Sequence, residues 1–284
     1  MIEGDFGDFH LENKLVEKLD LMTKRCTGKR NMDNWIILDG DEGYGKTTMS
    51  VLCAQYFKNS TGRKFDHTHM FFDVEKLIEF AKNTHDQIII WDEAALGGLA
   101  SDWQNKSQKK LIQLSMIVRK RRHIVLLNIP KIFKLQEYLA VDRSICLIHV
   151  YARTETELGR FCYYNKKQKE FLYNQWRLKK KKDYRRCYNF HGTFPGKMGC
   201  VIDEDEYDRI KDEAIGGFDA EPQHNKYLAE IARLKKLYAL VQGVAMTEKA
   251  KMAGSSLKSM YNWKNTDVDV PTGGDVPVLK LETE

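Results

Sequence analysis

The sequence has no apolar run long enough to cross a membrane, because a spanning helix needs about 20 consecutive apolar residues. Its six cysteines form no C-x-x-C pair and no zinc-type spacing, which argues against a zinc site or a disulfide framework and predicts reduced, partly buried thiols. The first residues, MIEGDFGDFHLENK, lack the basic segment and apolar stretch of a secretory signal. We therefore expect a cytoplasmic protein without a membrane span.

An apolar run leads into a glycine-rich loop over residues 35–48, WIILDGDEGYGKTT. The spacing is that of the G-x-x-x-x-G-K-[ST] phosphate loop, in which backbone N–H groups surround phosphates, Lys46 neutralises the β and γ oxygens and Thr47 binds Mg²⁺. A chance glycine-rich turn is the alternative, but a strand-like segment precedes the loop and a helix-like segment follows it. The residues predicted to hold ATP are Gly40, Asp41, Glu42, Gly43, Tyr44, Gly45, Lys46, Thr47 and Thr48.

A second apolar run, QIIIWDE at residues 87–93, ends in two adjacent carboxylates. In a parallel sheet the ligand lies at the carboxyl ends of the strands, so Asp92 is predicted to reach the phosphate loop and hold Mg²⁺ through water. Glu93 would then orient and deprotonate the attacking water. Taken alone, an acidic pair after a strand is also a common way for a strand to end in solvent.

A third run, HIVLLN at residues 123–128, closes on a polar residue before Ile129-Pro130. Many ATPases with a catalytic glutamate insert one strand between the two strands described above and place a polar sensor at its tip. Asn128 matches that position and would contact the γ-phosphate or the attacking water. The alternative is that Asn128 only caps the turn before Pro130.

Two clusters of basic residues follow these strands in the sequence. The first, RKRR at residues 119–122, ends a predicted helix over 109–118. Arg119, Arg121 or Arg122 could reach the ATP of a neighbouring subunit as an arginine finger, which would make hydrolysis depend on a ring. The alternative is that cations favour a helix C-terminus through its dipole.

The second cluster, RLKKKKDYRR at residues 177–186, is the strongest signal for a polyanionic partner in a chain of net charge +6. The aromatic residues Tyr173, Trp176, Tyr184 and Tyr188 flank it and suit base stacking. The alternative is a solvated lysine-rich surface. The residues predicted to contact nucleic acid, with DNA favoured, are Lys179, Lys180, Lys181, Lys182, Arg185 and Arg186.

Alternation of short apolar runs with helical stretches predicts an α/β fold with a doubly wound parallel sheet in a core domain at 1–152. The further elements expected are helices at 12–24 and 74–81 and strands at 69–72 and 144–151. Residues 153–217 are predicted to form a small, aromatic and basic, β-rich extension at the edge of that sheet.

The C-terminal part is predicted to be helical over 225–264 and flexible over 265–284. TEKAKMAGSSLKSMYNW, at residues 247–263, has the spacing of a helix-turn-helix. Ser256, Lys258 and Asn262 would then lie on its DNA-facing side. A plain helical hairpin, binding a protein partner, is the alternative.

GDEGYGKT, IIIWDE and RKRRHIVLLN together resemble the additional-strand, catalytic-glutamate class of P-loop ATPases. Within that class, residues 30–152 are similar to the FtsK/HerA-like and Zot-like motors with which viruses and plasmids move DNA. The resemblance implies a RecA-like core, Mg-ATP hydrolysis and a homo-oligomeric ring around DNA. A viral protein of this kind would act in the host cytoplasm.

The sequence therefore predicts an ATPase that handles DNA, as a viral or mobile-element translocation or packaging motor. An alternative is an ATP-switched DNA-binding regulator or a replication or transposition loader, since Asn128 at the sensor position is typical of AAA+ proteins. A small-molecule kinase is a third possibility, which the acidic pair and the polybasic segment disfavour.

Overall fold

The computed structural model describes residues 1–29, 31–92, 101–154 and 157–219, and of residues 101–108 and 214–219 the backbone only. The chain divides into two compact units, Met1–Gly216 and Gly217–Glu284. The predicted helical domain at 225–264, with Ser256, Lys258 and Asn262, lies outside the described residues. So does the predicted tail at 265–284.

Seven strands of the described chain form one sheet. They are β1 (Asn34–Asp39), β2 (Met70–Phe71), β3 (Ile88–Asp92), β4 (Ile124–Ile129), β5 (Cys146–Tyr151), β6 (Arg160–Asn165) and β7 (Phe190–Thr193). Their order across the sheet is β2-β3-β4-β1-β5-β6-β7. The first five are parallel, whereas β6 pairs antiparallel with β5 and β7 antiparallel with β6. The sheet is therefore mixed.

The central strands are buried on both faces, which explains why they are nearly continuous runs of Ile, Leu, Val and Trp. Successive side chains point to opposite faces. Ile36 and Leu38 of β1 therefore belong to one core and Trp35 and Ile37 to a second core on the other face. Two apolar cores, one on each face of the sheet, stabilise the fold.

Helices cover both faces of the sheet. Their bounds are α1 (Asn13–Thr27), α2 (Lys46–Thr61), α3 (Val74–Asn83), α4 (Ser101–Ile117), α5 (Lys166–Lys179) and α6 (Glu204–Asp219). Residues of α1, α2 and α6 belong to the first core, and residues of α3, α4 and α5 to the second. Within the described part of the chain, no helix has both the length and the apolar composition needed to cross a bilayer.

The α/β class predicted from the sequence is confirmed, but two details were wrong. The sheet is not wholly parallel, because β6 and β7 extend it in the antiparallel sense. The extension at 153–217 is also less β-rich than expected, since α5 follows β6 directly. Asn165 caps that helix by accepting from the Gln168 N–H at 3.2 Å, and Leu172 and Tyr173 form its buried side.

One lysine of α5 is fully buried. Lys169 donates to the carbonyl oxygens of Val141 at 3.2 Å and Ser144 at 2.6 Å, and also to the Ser144 hydroxyl. Burial lowers the pKa of this ammonium group to about 7 from an ordinary value of 10.5. The lysine fixes α5 to the chain that precedes β5.

We expect Lys169 to make stability depend on pH. Between about pH 7 and 10.5 the unfolded chain holds a proton on Lys169 that the folded chain has released, so unfolding free energy rises with pH by at most about 1.4 kcal/mol per unit. The variant Lys169→Met cannot titrate at this position. The melting temperature of the wild type minus that of Lys169→Met should therefore increase from pH 7 to 9 and stay constant below pH 7. The exposed neighbour Lys167→Met is the control. A difference that does not change with pH would contradict the shift.

Candidate functional site

Polar side chains from four adjacent strands meet at the carboxyl edge of the parallel sheet. Asp92 of β3 is in register with Asn128 of β4. Asp39 of β1 pairs with Ile129 on one side and with His149 of β5 on the other. The predicted phosphate loop follows β1 at the same edge, where ligands bind in open α/β sheets.

Two glycines of the loop occupy conformations that a larger residue would not tolerate. Gly40 has a φ of 151°, and a Cβ atom there would lie 2.2 Å from the Val150 carbonyl oxygen. Gly45 has a φ of 91° and precedes the first residue of α2, with the Phe194 ring 3.4 Å from a Cβ built on it. The loop therefore depends on left-handed backbone and on close approach to β5.

Lys46 is folded back into the loop that precedes it. Its ammonium group donates to the carbonyl oxygens of Gly40 at 2.9 Å and Asp41 at 2.8 Å, and the side chain is buried. Burial lowers the pKa of Lys46, while the carboxylates of Asp92 and Glu42 oppose that shift. A phosphate group in the loop would add negative charge beside a cation that is partly desolvated.

Thr47, Asp92, Asn128 and Ser50 form one hydrogen-bonded chain. The Thr47 hydroxyl donates to Asp92 Oδ2 at 2.6 Å. The Asn128 amide donates to the same oxygen at 3.3 Å and to the Ser50 hydroxyl at 3.0 Å. The structure thus brings together the loop, the predicted metal ligands and the predicted sensor.

The donor set fits a magnesium ion bound mainly by a nucleotide. Thr47 and Asp92 offer one hydroxyl and one carboxylate, both hard oxygen ligands, and Mg²⁺ is usually held by one or two such groups plus phosphates and water. Among the described residues, no three His, Cys, Asp or Glu side chains cluster to hold a metal. The buried Asn128 Oδ1 has no hydrogen-bond partner within that same set, so it can accept from a ligand. Glu93 lies outside the described residues.

Tyr207 of α6 is a contact that the sequence analysis missed. The side chain is buried beside Phe72, with the ring centroids 6.1 Å apart. Burial raises the pKa of the Tyr207 phenol and the Asp92 charge raises it further, whereas a hydrogen bond with Thr47 lowers it. The position of Tyr207 in an acidic amphipathic helix predicts that its ring is buried. The sequence does not predict which residues the ring packs against.

A second set that the sequence analysis missed surrounds the end of β1. Asp39 is fully buried and accepts from the Ile132 N–H at 2.8 Å and from the Tyr184 hydroxyl at 2.5 Å. His149 lies 2.8 Å from its other oxygen and stacks on Tyr184, with centroids 3.6 Å apart. His149 is a polar residue inside the otherwise apolar strand β5, and this was the sequence signal that could have identified the set.

The RKRR cluster is at the opposite edge of the sheet from the loop. It precedes β4, and six-residue strands separate the two edges by roughly 20 Å. Arg121 donates to the Thr84 carbonyl at 3.2 Å, and Arg122 donates to Asn31 at 3.0 Å and to Asp86. Arg119 is exposed and has no polar partner within the described chain. None of the three can reach the loop of its own subunit, and Arg119 alone is unengaged.

The second basic cluster is exposed, as a polyanion-binding surface requires, at Lys179, Lys180, Lys181, Lys182, Arg185 and Arg186. The four flanking aromatic residues were expected to be available for base stacking, but three of them are packed within the protein. Tyr173 donates to the Leu135 carbonyl at 2.8 Å, Trp176 packs on Phe133, and Tyr184 is bound to Asp39. Of the four, only Tyr188 has an exposed ring, with 38% of the residue accessible.

Comparison of the chain with protein-family models and with curated proteins finds no match to either.

Proposed function

We propose that the chain is a Mg²⁺-dependent ATPase that acts on DNA, as a translocation or packaging motor of a virus or mobile element. The observation that carries the proposal is the hydrogen bond from Thr47 to Asp92, which joins a G-x-x-x-x-G-K-T loop to an acidic strand end with β4 between the two strands. That strand order is typical of P-loop ATPases with a catalytic glutamate, and it supports assignment to a RecA-like core.

Each residue has a role in that reaction. Lys46 neutralises charge on the β and γ phosphates, and the loop N–H groups and the start of α2 bind phosphate oxygens. Thr47 and Asp92 hold Mg²⁺, which supplies positive charge where the reaction develops negative charge. Asn128 orients the attacking water or the γ-phosphate, and Glu93 removes a proton from that water.

The proposal extends to a ring of subunits that works on nucleic acid in the cytoplasm. Arg119 is exposed at the edge opposite its own loop, and in a ring it would act on the ATP of a neighbouring subunit. The cations at 179–186 are exposed and would bind phosphates of DNA. The segment at 225–264 would add a DNA or protein contact.

The test is steady-state ATP hydrolysis by the full chain, alone and with duplex DNA, single-stranded DNA or RNA, at low and high salt. We expect one nucleic acid to raise turnover at least about tenfold and high salt to remove the effect, because phosphate contacts release counterions. Specific activity should also rise with protein concentration if a neighbour completes the site. Lys46→Ala should abolish hydrolysis, and the exposed lysine variant Lys76→Ala should not.

Slow turnover that no nucleic acid changes would favour an ATP-switched regulator over a motor. Absence of hydrolysis under every condition, with nucleotide binding intact, would refute the ATPase itself.

A further inference from the structure

A cavity of about 730 Å³ opens beside the phosphate loop, next to β5 and β6. Asp41 and Tyr44 of the loop form part of its wall. Ligand pockets of proteins have volumes of about 300–1,000 Å³, so a nucleotide unit has room here. Asp41 and Tyr44 are also predicted to hold ATP, but the other residues of the wall have no role in the hydrolysis reaction described above.

Its wall carries an excess of positive charge. The four cations in the lining are Arg153, Arg160, Lys182 and Arg185. The two carboxylates there already have cations of their own, because Asp41 pairs with Lys131 at 2.5 Å and Asp183 with Arg186 at 3.0 Å.

Glu157 lies 3.6 Å from Arg160. In the described part of the chain, no carboxylate pairs with the side chains of Arg153, Lys182 or Arg185. A ligand with phosphate groups would match that charge.

The same wall carries aromatic rings in two layers. The inner layer is fixed, since Tyr184 and His149 are stacked within 5° of parallel and both are bound to Asp39. The outer rings are accessible: Tyr151 is half-buried and Tyr188 is exposed. Exposed rings beside unpaired cations are the elements from which proteins build sites for unpaired bases.

We propose that this cavity binds an unpaired nucleotide of single-stranded nucleic acid, with its base on the exposed ring of Tyr188 and neighbouring phosphates on Arg153, Lys182 and Arg185. The inference rests on the proposed function, because it names the form of nucleic acid on which the ATPase acts. The base of the ATP itself is a poorer occupant. The base is uncharged, and the phosphates of ATP are held in the loop, so the cations of the cavity wall would have no phosphate to bind. Duplex DNA is a poorer occupant as well, because its bases are stacked on one another and leave no free face for a protein ring.

The experiment measures binding of a short fluorescent oligothymidylate and of a duplex of equal length to the full chain, without ATP, at several salt concentrations. Tyr188→Ala should weaken single-strand binding about 5- to 150-fold, the range found for loss of one stacked base, and leave duplex binding unchanged. The exposed ring of Phe171, on α5, provides the matched control Phe171→Ala.

Charge reversal tests the phosphate contacts separately. The double variant Lys182→Glu/Arg185→Glu should weaken single-strand binding and make the slope of log affinity against log salt shallower by about 1.4, because each phosphate contact to a single strand contributes about 0.7. Lys76→Glu/Lys82→Glu, on α3 next to the other end of the sheet, is the charge-matched control and should change neither. Thermal denaturation of each variant shows whether it is folded.

Three results would overturn the inference. The wild type could fail to bind the single strand, or Tyr188→Ala could bind it as the wild type does. The variants could instead weaken binding of a fluorescent ATP analogue and leave the oligonucleotide unaffected, which would assign the cavity to the base of ATP. Because these measurements contain no hydrolysis step, failure of the ATPase proposal would appear only in the turnover assay.

Discussion

Replacing Glu93 with glutamine is expected to lower steady-state ATP turnover by about 10² to 10⁴-fold, the usual contribution of a general base. The amide keeps the shape of the side chain and can still contact water, but it cannot accept the proton. Nucleotide binding should be unchanged, because Lys46, Thr47 and Asp92 remain. Single-turnover hydrolysis and titration with a fluorescent ATP analogue separate the two effects.

The exposed residue Glu79 on α3 gives the matched control, since Glu79→Gln removes the same charge at a distance from the loop. Normal turnover in Glu93→Gln would show that another group activates the water. Loss of ATP binding in the same variant would show that Glu93 acts on the bound nucleotide or its metal ion instead.

Arg143→Met is expected to reduce the free energy of unfolding by about 3–5 kcal/mol, because it leaves the buried carboxylate of Asp33 without its cation. Arg143 pairs with Asp33 and donates to the Ser115 carbonyl at 3.2 Å through Nε and at 3.1 Å through Nη2. Its guanidinium also lies 5.0 Å from the centroid of the Trp35 ring. The loss corresponds to a fall in melting temperature of roughly 6–20 °C.

A matched control uses an ion pair on the surface. Arg177 contacts Glu137 at 2.5 Å, but about half of each side chain is exposed. Arg177→Met should therefore cost no more than about 1 kcal/mol. The double variant Asp33→Asn/Arg143→Met should recover part of the loss, since it removes the uncompensated charge. Equal melting temperatures for Arg143→Met and Arg177→Met would refute the stabilising role of the buried pair.

The sequence was sufficient for those parts of the site that adjoin a strand end. The runs ending at Asp39, Asp92 and Asn128 are apolar and bounded by polar residues, and parallel pairing then places their ends at one edge. The glycine spacing located the loop, because only glycine tolerates the backbone at Gly40.

Contacts made by distant segments could not be predicted in this way. Tyr184 reaches Asp39 across 145 positions of sequence, and no local pattern encodes which helix or turn docks there. Lys169 illustrates the same limit. In KKQKEFLYNQW its charge predicts exposure, and only the helical spacing to Leu172, Tyr173 and Trp176 places it on the buried side.

The hydrogen bond from Tyr184 to Asp39 links the basic segment directly to the strand that leads into the phosphate loop. Asp39 immediately precedes Gly40, and Tyr184 lies between Lys182 and Arg185. The bond is 2.5 Å long, and O–H···O bonds extend to about 3.0 Å. A single side chain therefore joins the basic segment to the strand end from which the phosphate loop begins.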